Sequence, residues 1–275
     1  MNKYFFNHDR SPLLGLADSQ IITFIGGGGK TSLMNTLGKE FASHGYPTLL
    51  TTTTHIMKPD FLPSKACIEE ENLEQITSFF TNLEKDILPL AALGIPEKVV
   101  NSNIKWRSPS SDFCKKIAEF SKKFSTKNPY KFLKILCEGD GSKRLPIKLP
   151  KDGEPVFFPK TDTVIGVIGL SCLGKPIKET LFRYELLPNL TSLDNYFIKS
   201  LQSADIVTTD FLYRLCLSEK GLRKNITSQK FCIIFNQADI LDEKALAEVI
   251  TLRNQLQTKG ICSHIISVKN NYIIN

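Results

Sequence analysis

Short apolar runs without polar alternation recur along this chain, and segments of helical period separate them. Ile21–Ile25 (IITFI), Thr48–Thr54 (TLLTTTT), Leu88–Leu93, Tyr130–Cys137 (YKFLKILC), Thr163–Ile168 (TVIGVI), Asp205–Thr208 (DIVT), Phe231–Phe235 (FCIIF) and Ser263–Val268 read as strands. Thr31–Ser43, Asn72–Lys85, Ser111–Phe124 and Asp242–Thr258 read as helices, with Ser110 or Ser111 able to cap the third. A strand with one wet face alternates, whereas a strand covered on both faces does not. The pattern therefore predicts an α/β fold, a mostly parallel sheet with helices on both faces. At 275 residues the chain is read as one domain, 1–275, with long insertions around 94–128 and 145–162. Within these, Gly94–Pro109 and Leu145–Asp162 are polar and interrupted by proline, and they read as loops.

Composition narrows the partners. The longest mostly apolar run, Val164–Gly174, has 11 residues. A membrane span needs about 20. The N-terminal stretch carries His8, Asp9 and Arg10 where a secretory signal is apolar, so a cytoplasmic protein is expected. Lys and Arg outnumber Asp and Glu by 35 to 28, a net +7 that favours anionic partners. No basic block exceeds two residues, which argues against nucleic acid. The seven cysteines are scattered singly, without the spacing of a zinc site. Cys137, Cys232 and Cys262 lie in apolar runs and are expected to pack as small buried hydrophobes.

The sharpest local signal is GGGGKTS, Gly26, Gly27, Gly28, Gly29, Lys30, Thr31 and Ser32, between a predicted strand and a predicted helix. Glycines let the backbone turn tightly and aim its amides into a concavity at the helix N-terminus, where anions are favoured. Lys30 can reach the outer phosphates of a nucleoside triphosphate (ATP or GTP), and the Thr31 hydroxyl can ligate Mg²⁺. The loop is a shortened relative of the usual P-loop, because Phe24 stands where the full pattern has glycine. A second signal, LCEGDGS, puts Glu138 and Asp140 at the end of a strand, placed to hold Mg²⁺ or to position an attacking group. Here Asp140 is expected on the metal and Glu138 beside the nucleophile.

A third signal, NQAD, places Asn236 and Asp239 after the FCIIF strand. It is where GTPases carry the NKxD motif that reads guanine, although Gln237 replaces the lysine. A fourth, TTTTH, brings Thr53, Thr54 and His55 to the carboxyl edge of the sheet, where open α/β folds bind ligands. Ser142, Lys143, Arg144 and Lys175 follow other strands, and with Arg183 they would give that edge a positive rim suited to a phosphorylated ligand such as a nucleotide.

In order, the blocks GGGGKTSLM, TTTTHI, EGDGSKRLPIK, EPVFFP, VIGVIGLSCLGKPI, FRYELL and FNQADI resemble the YqeC family from about Ile21 to about Leu241. That family is described as accessory proteins of selenium-dependent molybdenum hydroxylases. It usually reads EADGS and NKAD where this chain has Gly139 and Gln237. The resemblance implies a P-loop NTPase-like protein serving metallo-cofactor maturation, with a molybdopterin-type cofactor and a molybdenum hydroxylase client as partners. Two functions follow as expectations: Mg²⁺-dependent hydrolysis or phosphoryl or nucleotidyl transfer, or a nucleotide-gated insertion factor with little turnover. A Mur-type ligase, which uses similar loop spacing, ranks below both, because about 40 residues after Asn236 leave little room for an acceptor domain.

Overall fold

The computed structural model describes residues 3–5, 15–83, 87–124, 132–189 and 205–274. The strands are β1 (Lys3–Phe5), β2 (Ile21–Gly26), β3 (Thr48–Thr52), β4 (His55–Met57), β5 (Cys67–Ile68), β6 (Leu90–Leu93), β7 (Ile95–Val100) and β8 (Asn103–Arg107). They continue with β9 (Lys134–Glu138), β10 (Ile147–Lys148), β11 (Thr163–Gly169), β12 (Leu181–Phe182), β13 (Lys230–Asn236), β14 (Cys262–Ser267) and β15 (Tyr272–Ile274). The helices are α1 (Lys30–Ser43), α2 (Leu73–Thr81), α3 (Ser111–Lys123), α4 (Ile177–Thr180), α5 (Thr209–Leu217) and α6 (Glu243–Thr258).

One ten-stranded sheet runs in the order β1-β15-β14-β13-β11-β2-β9-β3-β6-β5. Every pair from β14 to β5 is parallel, and only β15 reverses, antiparallel to both β14 and β1. Residues alternate between faces even though both faces are apolar. Ile22, Phe24, Leu136 and Ile234 pack with Leu33, Leu37 and Phe41 of α1. On the opposite face Ile21, Leu49 and Ile135 pack with α2 and α3, and Ile233, Phe235 and Ile265 pack with α5 and α6. The fold is α/β with helices on both faces, as the apolar runs predict. Among the described residues, no helix is long and apolar enough to cross a membrane.

Strand β2 is clamped at its start. Both the Gln20 and Ile21 amides donate to Asp162 Oδ2 at 2.9 Å. Lys134, the first residue of neighbouring β9, is fully buried, and its ammonium donates to the carbonyls of Ala17 at 2.7 Å and Ser19 at 2.6 Å. The same ammonium lies 4.4 Å from the centroid of Phe41 and 4.7 Å from that of Tyr46, a cation–π cage.

Several local expectations need correction. Gly94–Pro109 is no loop. It holds the hairpin β7–β8, which with β4 makes a separate three-stranded sheet. Its turn residues Asn101 and Ser102 both have positive φ, 48° and 64°, as a two-residue hairpin turn requires. Exposure of β7 along most of its length removes the apolar signature of a strand. Asp205–Thr208 is not a sheet strand. Ile206 and Val207 form single bridges to Pro176 and Leu173, and the Thr208 hydroxyl caps α5 by accepting from the Phe211 amide at 3.2 Å.

The Thr48–Thr54 run stops at Thr52, whose hydroxyl accepts from the Thr54 amide at 3.0 Å and turns the chain. In Tyr130–Cys137 the strand begins at Lys134, and Tyr130 lies outside the described residues. Helix α2 ends at Thr81, and residues 84 and 85 of the expected helix also lie outside them. Cys137 and Cys232 are buried as expected, but Cys262 is exposed.

Candidate functional site

At the carboxyl end of β2 the chain turns through Gly26–Gly29 into α1. Gly28 has φ +72°, and a Cβ on it would lie 2.1 Å from the Gly169 nitrogen at the end of β11, so two backbones meet where no side chain fits. Gly29 caps the helix with φ +101°. The loop amides are not all turned outward, as a simple cradle would have them. Gly26 N–H donates to both Asp140 carboxylate oxygens at 3.1 Å, Gly27 N–H to Val167 O at 2.9 Å and Gly28 N–H to Leu145 O at 3.2 Å. The amides that remain for an outside ligand belong to the first turn of α1, where N–H groups have no intrahelical acceptor. Gly29 and Ser32 are exposed there, and Thr31 is half-buried.

Lys30 is buried and curls back into the loop. Its ammonium donates to Gly26 O at 2.5 Å and sits 3.2 Å from Asp140 Oδ1 and 4.0 Å from Glu138 Oε1. The Thr31 hydroxyl donates to Glu138 Oε2 at 2.5 Å. Both carboxylates reach the loop because β9 pairs directly with β2, Phe24 opposite Glu138. Burial pushes the Glu138 carboxyl up, against the pull of Lys30 and the Thr31 hydrogen bond.

Three further residues, Lys148, Glu154 and Arg183, complete this cluster. Lys148 in β10, with its side chain almost fully buried, lies 3.1 Å from Asp140 Oδ2 and 2.6 Å from Glu154 Oε2. Arg183 holds Glu154 with two hydrogen bonds, of 2.5 and 2.7 Å. Burial raises the Glu154 carboxyl, but the hydrogen bonds and charges of Arg183 and Lys148 outweigh it and bring it down to about 2. An unbroken chain of alternating charge thus runs Lys30–Asp140–Lys148–Glu154–Arg183. The sequence signal for Lys148 is its setting, a single cation in LPIKLP among apolar residues and prolines.

The other candidate residues fall into two groups. Asn236 reaches the loop: its side-chain amide donates to Gly28 O at 2.9 Å, while its Oδ1 accepts from the Val268 amide at 3.1 Å. Asp239 faces β14, accepting from the Ser267 hydroxyl at 2.6 Å. The Gln237 side chain folds inward, its Oε1 accepting from the Ser171 amide at 3.3 Å. Ser142 and Leu145 close a turn, Leu145 N–H to Ser142 O at 2.9 Å, which places exposed Arg144 next to the residue whose carbonyl holds Gly28.

Of the residues expected to make a positive rim, Arg183 joins the charge chain through Glu154. Lys175 is exposed, on the turn after β11. His55 stands on the three-stranded sheet, its Nε2 3.1 Å from Glu97 Oε1. Thr53 donates to Val156 O at 2.7 Å and so fastens the segment that carries Glu154.

A family model described as YqeC protein matches residues 22–185, more than half of the chain. The chain belongs to the YqeC family. A curated relative, Uncharacterized protein YqeC of Escherichia coli (strain K12), is 27% identical over 194 residues, 68% of this chain and 66% of the relative. The matched region therefore spans just under two thirds of that YqeC protein. The YqeC-matched segment contains the glycine loop, Glu138, Asp140, Lys148, Glu154 and Arg183, whereas Asn236 and Asp239 lie beyond it.

Proposed function

We propose that this YqeC-family protein binds a nucleoside triphosphate with Mg²⁺ at the start of α1, and couples its hydrolysis or transfer to maturation of a molybdenum hydroxylase. The observation that carries the reading is the meeting of Lys30, Thr31, Glu138 and Asp140 at one strand end, with distances of 2.5 Å from Thr31 to Glu138 and 3.2 Å from Lys30 to Asp140. A hydroxyl and two carboxylates are the hard oxygen donors that Mg²⁺ prefers, so the residues fit the ion. Bound there, Mg²⁺ supplies charge neutralisation to the phosphate oxygens.

The chain's own part follows from the geometry. Phosphates approach from the outer side, at the Gly29–Ser32 amides, because the inner amides already have acceptors. Lys30 then exchanges Gly26 O and Asp140 for phosphate oxygen. Thr31 and Asp140 are the metal-side groups, and Glu138, buried and pushed toward the neutral form, is the proton-handling group.

The resting arrangement also favours the second reading, a nucleotide-gated insertion factor. The three cations Lys30, Lys148 and Arg183 are ion-paired with the three carboxylates Glu138, Asp140 and Glu154, so the ligand must displace ion pairs before any chemistry.

The test is a thermal-shift series with ATP, GTP, CTP and their diphosphates, with and without Mg²⁺. A triphosphate present at 100 times its dissociation constant adds about 2.7 kcal/mol of apparent stability. Lys30→Ala should weaken that binding by about 2 kcal/mol, the worth of a charge-assisted hydrogen bond. If no nucleotide raises the melting point at millimolar concentration, the reading is wrong. A molybdopterin-type cofactor and a molybdenum hydroxylase, added to a phosphate-release assay, separate enzyme from switch: the enzyme turns over alone, the switch only with its client.

A further inference from the structure

Near the starts of β13 and β14, at the edge of the sheet opposite the glycine loop, two cysteines stand side by side. Cys232 and Cys262 are Cα partners in the parallel register. Adjacent strands lie about 4.8 Å apart, and in-register side chains share a face. Disulfides accept Cα separations of about 4.4–6.8 Å, so the backbone already meets the requirement. The two sulfurs are 3.1 Å apart. His264, two residues along β14 and on the same face, brings Nε2 to 3.5 Å from Cys262 Sγ.

We propose that Cys232 and Cys262 form a redox-active dithiol that reacts with low-molecular-weight disulfides and closes to an internal Cys232–Cys262 bond. The two thiols have the unequal roles such a pair needs. Cys262 is exposed and open to attack an incoming disulfide, while Cys232 is buried beneath it. The hydrogen bond between the sulfurs, with the His264 ring beside them, holds the Cys262 thiol below the ordinary thiol range. Elsewhere burial does the opposite, pushing Cys114 to about 11 and Cys172 to about 12, and these thiols are inert by comparison.

The exchange balances. The Cys262 thiolate attacks one sulfur of RSSR; the Cys262–SR bond forms, the R–S–S–R bond breaks, and RS⁻ leaves to take a proton from His264 or water. The Cys232 sulfur then attacks the Cys262 sulfur; the internal bond forms, the Cys262–SR bond breaks, and the Cys232 proton departs with the second RSH. One dithiol and one RSSR become one disulfide and two RSH.

A Cys₂His set is also a soft-metal ligand group, and the three side chains place their ligand atoms within 4.8 Å of one another. Tetrahedral zinc, with bonds to sulfur of about 2.3 Å, would hold its thiolates nearer 3.8 Å apart. The 3.1 Å separation sits on the disulfide side of that distance. Nucleotide binding plays no part in the exchange.

The full chain is equilibrated with mixtures of reduced and oxidised glutathione, trapped by alkylation, and read by intact mass and peptide mapping. The expected product lacks two hydrogens and maps to Cys232–Cys262 alone among the seven cysteines. Cys232→Ser should stop at a glutathione adduct on Cys262, and Cys262→Ser should form no adduct at Cys232. His264→Asn should slow adduct formation by about tenfold, with circular dichroism confirming the fold of each variant. The proposal is overturned if the wild type leaves oxidising buffer with all thiols alkylated, or with a bond elsewhere. Native mass spectra showing one Zn²⁺ per chain, which blocks exchange until chelated, would overturn it in favour of a metal site.

Discussion

Replacing Lys148 by Met removes the ammonium that stands between Asp140 and Glu154. Methionine keeps the apolar stem and drops only the terminal ammonium, so the loss is chiefly electrostatic. Removing one partner of a buried pair costs about 3–5 kcal/mol. Here the remaining charges soften the loss, since Arg183 still holds Glu154 and Lys30 with the Gly26 amide still holds Asp140. A destabilisation of about 3 kcal/mol at pH 7 is expected.

Part of that loss depends on pH. Glu154 is brought from 4.5 to about 2, and a carboxyl lowered on folding adds stability above its unfolded value and loses it as pH falls through the folded one. Before solvent screening the displacement corresponds to at most about 3 kcal/mol, shared between Arg183 and Lys148. About 1–2 kcal/mol of the difference between wild type and variant should therefore vanish as pH falls from 4.5 toward about 2. Urea unfolding followed by circular dichroism at stepped pH reads the difference directly, provided the slope with denaturant is unchanged. In a Glu154→Gln background the same substitution should cost at least about 1 kcal/mol less. A deficit under about 1 kcal/mol at pH 7, or one unaltered in that background, would refute the charge chain as a coupled unit.

Two further substitutions test the loop. Gly28→Ala puts a methyl 2.1 Å from the Gly169 nitrogen at φ +72° and should cost more than about 3 kcal/mol, whereas Gly141→Ala, with open space around it, should stay within about 0.5; melting temperatures compare them. Asn236→Ala strands the Gly28 carbonyl and the Val268 amide and should lose about 2–4 kcal/mol, with ATP and GTP weakened alike; a shift in base preference at unchanged stability would instead make Asn236 a base contact.

Sequence reading finds most of the central sheet because its strands are covered on both faces. Ile21–Gly26, Lys134–Glu138, Thr163–Gly169 and Lys230–Asn236 are apolar for that reason. The hairpin at Ile95–Arg107 escapes because water wets most of β7, and composition then resembles a loop. The short β15 escapes because three residues after a turn carry no period. At the site, Lys30, Thr31, Glu138 and Asp140 are legible from strand-end motifs, which fix where a side chain emerges. Lys148 and Glu154 stand only inside the family blocks EGDGSKRLPIK and EPVFFP, with no motif to give them a role, because they come from a stretch with little regular structure whose path is set by tertiary contacts such as Thr53 to Val156. Glycines reveal that the loop turns tightly but not which way each amide points; Asp140, Val167 and Leu145 decide that.

Strands β2 and β9 are fastened at both ends, by Lys134 and the carbonyls of Ala17 and Ser19 at one and by the charge cluster at the other. Mechanically they form a fixed beam. Pulling Lys30 away from Asp140 cannot slide one strand along the other. On the other side of the cluster, β10 is joined to β12 by a two-residue ladder and Arg183 grips Glu154. A ligand that takes Lys30 from Asp140 therefore meets a frame whose give lies in side chains, since the Leu145 and Pro146 carbonyls also hold the 145–155 segment to the Gly28 and Gly169 amides.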